Sequence, residues 1–160
     1  MQKRFAFACL ALSAILPAGS ALADSIGRYD CNIVGAFSQE PVGDRGGHGL
    51  LSYQYSCFGV DGLIKGATYT ANLIQEWDGP QGKFLVAGGV HRLPGGLAVT
   101  ELLEGSASAV MKDGKAVGVI SSGKAVFKVA SGPLTALSGK TIKFTTNPTG
   151  FNHFTLELAE

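Results

Sequence analysis

Charged side chains are scarce in this sequence. They make up 16% of its 160 residues, 13 basic against 12 acidic. A charge-driven nucleic-acid binder needs a basic face, and a disordered chain needs high net charge with few apolar residues. Neither is present, and no nucleic-acid partner is expected. Long apolar segments are also missing. The longest, residues 5–16, is broken only by Ser13. At about 12 residues it falls short of the ~20 a helix needs to cross a bilayer core, so no membrane span is expected. The three cysteines and the histidines His48, His91 and His153 fit no metal-ligand spacing. The glycine-rich stretch 43–49 lacks the lysine of a phosphate loop, and no nucleophile-elbow pattern occurs. Neither a metal nor a cofactor is expected.

What is present begins with a three-part export signal. Lys3 and Arg4 precede the apolar run, Pro17, Gly19 and Ser20 end it, and Ala21-Leu22-Ala23 offers the small-x-small pattern of a cleavage site. Residues 1–23 are read as a signal peptide and residues 24–160 as one domain, periplasmic or secreted. The mature chain keeps 11 of the basic side chains against 12 acidic ones, a net charge of about −1. Cys9 leaves with the signal, and the remaining pair, Cys31 and Cys57, is expected to form a disulfide in an oxidising compartment.

Glycine is abundant and dispersed. It punctuates short stretches rich in Val, Thr, Phe and Tyr, as turns punctuate strands. Residues 51–57 alternate, placing Leu51, Tyr53, Tyr55 and Cys57 on one face. Ala67, Tyr69, Ala71, Leu73 and Trp77 repeat the pattern, as do Ile142 with Phe144 and Phe154 with Leu156 and Leu158. Turn signals fall at Asp61-Gly62, Asp78-Gly79-Pro80, Pro94-Gly95, Asp113-Gly114 and Asn147-Pro148-Thr149-Gly150, with one helical turn over residues 133–137. The Gly88-Gly89 pair inside a strand marks a bulge or a close backbone approach. Together these predict an all-β domain of about eight antiparallel strands, closed as a single barrel or, alternatively, folded as a β-sandwich.

One stretch carries a resemblance. Ser131-Gly132-Pro133-Leu134-Thr135-Ala136-Leu137-Ser138-Gly139-Lys140 follows the strand-like residues 122–130. Its cadence of strand, Ser-Gly, a two-leucine turn and Gly-Lys resembles the allene oxide cyclase and dirigent-like β-barrels. The resemblance covers under a fifth of the mature chain and implies a fold. It assigns no residue a role here.

Candidate functional residues are few. Tyr53, Tyr55, Tyr69 and Trp77 fall on one face of two consecutive strands, opposite small residues such as Ala71, Gly88 and Ala107. They are the expected ligand-binding set for a small apolar or aromatic molecule. Glu101 shares alternation parity with Leu97, Val99 and Leu103. Turned inward it is the candidate catalytic residue of a cyclase- or isomerase-like enzyme, and turned outward or paired it is structural. The histidines are expected at the solvent-facing surface, and stretch 43–49 is expected to be a mobile linker. A third reading is a filled barrel acting through its surface.

Overall fold

A strand with one apolar face must bury it, and eight such strands in succession do so by closing on themselves. The computed structural model describes residues 25–160. Its strands are β1 (Ser25–Pro41), β2 (His48–Gly59), β3 (Thr68–Asp78), β4 (Gln81–Leu93), β5 (Gly96–Lys112), β6 (Lys115–Ala130), β7 (Thr141–Gly150) and β8 (His153–Ala159). Each pairs antiparallel with the next, and β8 returns to β1, giving a closed barrel rather than a sandwich. Residues 1–23, read as a signal peptide, lie outside the described residues.

The alternating residues face inward as expected. Leu51, Tyr55, Cys57, Tyr69, Ala71, Leu73, Trp77, Ile142, Phe144, Leu156 and Leu158 are all buried. Cys31 and Cys57 are direct partners in the β1–β2 register and are joined by a disulfide. The bridge closes a separation of 26 residues, for which chain entropy gives on the order of 3.5 kcal/mol of stabilisation.

One end of the barrel is plugged. It carries the 3-10 turns Gly62–Ile64 and Gly132–Leu137, which bury Ile64, Leu134 and Leu137 beside Ala67 and Ala98. The second turn was legible in the sequence and the first was not. At the opposite end the β5–β6 hairpin turns on Asp113 and Gly114, both at positive φ, as the Asp-Gly signal implies. The turn expected at residues 147–150 lies one step later. β7 continues through Pro148, which pairs with Phe154, and the chain reverses at Phe151-Asn152. The paired register between β6 and β7 stops at Thr146, so no ladder bond to β6 is lost at the proline that follows.

Three bulges aim side chains. In β4 the partners step from Ile74↔Val86 to Gln75↔Phe84, leaving Leu85 as the extra residue. In β5 they step from Leu102↔Ala125 to Glu104↔Lys124, leaving Leu103 extra. In β6, Lys128 is extra between the partners of Val99 and Thr100. The β5 bulge reverses strand parity: Ala98 and Thr100 are buried before it and Ala107 after it. Glu101 lies ahead of that bulge and shares the face of Leu97, as alternation requires, but that face is the outer one. It faces solvent, and its carboxylate pairs with Lys128 Nζ at 3.2 Å. Glu101 is not in the barrel interior.

A candidate binding cavity

Between the plugged end and the β7–β8 turn the interior is not filled. A cavity of about 360 Å³ opens there, within the size range of small-molecule sites. Its walls include Tyr53, Tyr55, Tyr69, Phe84, Leu102 and Phe144. It reaches solvent beside Phe151, which is 91% exposed. None of its lining residues is an Asp, Glu, Lys or Arg.

The deep wall is polar in a specific way. Tyr29 on β1 is fully buried, and its hydroxyl lies 2.7 Å from His91 Nδ1. On the other side of the ring, His91 Nε2 is 3.2 Å from Thr100 Oγ1, which is 3.1 Å from the Tyr69 hydroxyl. The Tyr55 and Tyr69 rings meet edge to face at 5.7 Å. The expectation that His91 faces solvent is overturned. It is 1% exposed, because β4 alternation after the Leu85 bulge turns it inward. Burial lowers its pKa from 6.5 to about 3, so the ring is neutral. Burial raises the pKa of Tyr53 to about 12 and pushes Tyr29, Tyr55 and Tyr69 upward as well.

Backbone proximity makes this cluster possible. A Cβ on Gly89 would lie 2.1 Å from the Thr70 carbonyl oxygen, so only glycine permits the close approach of β4 to β3 there. That approach brings His91 directly opposite Tyr69. The glycine pair was the sequence signal for close packing, although it did not by itself point to His91.

The ring set read from the sequence divides. Tyr53, Tyr55 and Tyr69 line the cavity, and Gly88 lies across from them. Trp77 also faces inward but is not among the lining residues. It packs over Gly82, where a Cβ would come within 2.6 Å of the indole, and its Nε1 donates to Gln75 Oε1 at 3.0 Å.

A second polar cluster pins the β1–β2 loop. His48 is buried between Asp44 and Glu76, with Nε2 2.8 Å from Glu76 Oε1. Arg45 bridges Asp44 and Asp78 at 2.7 Å each. The stretch 43–49 is therefore tethered to the β3–β4 turn and is not a free linker, and His48 is not solvent-facing. Hydrogen bonds to the carboxylates, first to that of Asp44 and then to that of Glu76, raise the His48 pKa. His153 is exposed at the cavity rim.

Fold and cavity together define a closed eight-stranded up-and-down barrel with an internal, apolar-walled chamber. No protein-family model matches the chain, and comparison with curated proteins and with solved structures finds no match.

Proposed function

We propose that this is an exported barrel, periplasmic or secreted, that binds a small, partly apolar or aromatic molecule in its interior. The cavity carries the reading: the rings and aliphatic side chains of its walls leave space for a ligand that would bury its apolar surface there. The start of the sequence and the buried disulfide support export. Mid-strand charge pairs on the outer face, Glu101 with Lys128 and Glu104 with Lys124, weigh against a lipid-facing barrel. The isomerase alternative has lost Glu101 as an interior carboxylate.

Calorimetric titration of the oxidised protein with naphthalene, camphor and cumene tests the reading. Saturable one-to-one binding with a negative heat-capacity change is expected. Absence of binding across such a panel of uncharged compounds would overturn it.

A further inference from the structure

Four proton-bearing groups meet at the deep wall: the hydroxyls of Tyr29, Thr100 and Tyr69, and the neutral His91 ring. Three contacts join them in a line, Tyr29 to Nδ1, Nε2 to Thr100 and Thr100 to Tyr69. Each contact uses one proton, so one of the four protons has no acceptor within the line. Among the described residues these side chains have no further hydrogen-bond acceptor. Tyr55 does not supply one, because it stands toward Tyr69 as a donor.

Burial decides where the unused proton lies. Tyr29 is 0% exposed and is not among the lining residues of the cavity. A proton left on its oxygen would be buried without an acceptor, which is costly. Tyr29 therefore donates to Nδ1, the His91 proton sits on Nε2, and Nε2–H donates to Thr100 Oγ1. Thr100 donates onward to the Tyr69 oxygen, the direction in which each bond strengthens the next. The unused proton is then that of the Tyr69 hydroxyl, on a ring that lines the cavity.

We infer that the Tyr69 hydroxyl is a hydrogen-bond donor site in the deep wall of the cavity, and that it selects a ligand with an uncharged acceptor, a carbonyl or ether oxygen, on an apolar body. This inference rests on the binding reading above and adds to it a specificity-determining residue. A carboxylate would have to leave water for a chamber without a charged side chain among its lining residues, which is unfavourable. A pure hydrocarbon would leave the Tyr69 proton unused.

The wild-type protein gives two readings. Nitrogen NMR of the ligand-free protein should find His91 protonated on Nε2. The infrared carbonyl stretch of bound, isotope-labelled acetophenone should lie at lower frequency than in hexane. Tyr55→Phe should leave that frequency in place. Tyr69→Phe, which keeps the ring on His91, should move it back toward the hexane value. It should also weaken acetophenone about fivefold and change cumene, alike in shape but without the oxygen, by less than about twofold. Benzoate should bind far more weakly than acetophenone. A His91 proton on Nδ1, a hexane-like carbonyl, benzoate binding equal to acetophenone, or a carbonyl frequency moved by Tyr55→Phe and not by Tyr69→Phe would overturn this inference while the binding reading stands. If neither acetophenone nor cumene binds, both are wrong.

Discussion

The Tyr69 and His91 rings stack face to face, their centroids 3.9 Å apart and their planes 10° from parallel. This contact joins β3 to β4 inside the barrel and fixes the imidazole plane, so that Nδ1 meets Tyr29 and Nε2 meets Thr100. A protonated ring would need a second donor direction, and Tyr29 would have to turn its proton elsewhere. The arrangement therefore suits the neutral ring alone.

Acid should loosen the fold through His91. Its pKa is about 3 in the folded chain and 6.5 as an ordinary histidine. Between these values the unfolded chain binds the extra proton, so stability falls as pH drops from 6.5, by up to about 1.4 kcal/mol per pH unit. His91→Gln should be less stable at neutral pH, because Tyr29 or Thr100 loses its partner, yet show a shallower loss in acid. Urea unfolding across pH 4–7, an interval of about three units, measures both slopes. Parallel slopes would contradict the assignment.

His48 should act with the opposite sign. Its pKa is raised by Asp44 and Glu76, so its contribution is full below 6.5 and is lost as pH rises through the elevated value. His48→Gln should abolish that alkaline-side decline and increase hydrogen exchange in residues 43–47, measured by mass spectrometry. An unchanged profile would mean that the tether does not hold the loop.

Space inside the barrel should be detectable by overpacking. Ala125 lines the cavity, whereas Ala98 lies in the packed end and is fully buried. Ala125→Phe should cost less than about 1 kcal/mol, while Ala98→Phe should cost roughly 1–3 kcal/mol or more. Thermal or urea unfolding of the two variants decides. Equal, large losses would show that the chamber is closed in solution.

Export should leave a mature chain beginning at Asp24 with no free thiol. Intact mass of secreted material, with thiol blocking in denaturant, reads both features at once. Replacing both cysteines, Cys31→Ser with Cys57→Ser, should remove a few kcal/mol of stability while the β-type circular dichroism persists.

Much of this architecture is legible in the sequence because antiparallel strands carry a local period. Leu51 to Cys57 and Tyr69 to Leu73 face the interior as alternation requires, and Asp113-Gly114 turns where its side chains permit positive φ. Alternation fails where bulges change its parity. Leu103 shifts the phase of β5, so that Ala107 faces inward after it as Ala98 and Thr100 do before it, whereas Glu101 keeps the face of Leu97, which is the outer one. His91 was hidden because a bulge at Leu85 and the Gly88-Gly89 pair interrupt the pattern on which its direction depends. His48 was hidden differently. Its partners Asp44 and Glu76 come from separate elements, and only the closed β2–β3 register brings them together.

Whether the chamber takes a ligand is tested most directly by methyl NMR of the oxidised protein during titration with acetophenone. Saturable shifts are predicted at Leu51, Leu102, Ile142 and Leu156, which line the cavity, and not at the outward-facing Leu85, Val86 and Val129. The Ala125→Phe variant should abolish them while remaining folded. Shifts confined to outward-facing methyls, or none at saturating acetophenone in a folded wild type, would contradict the account.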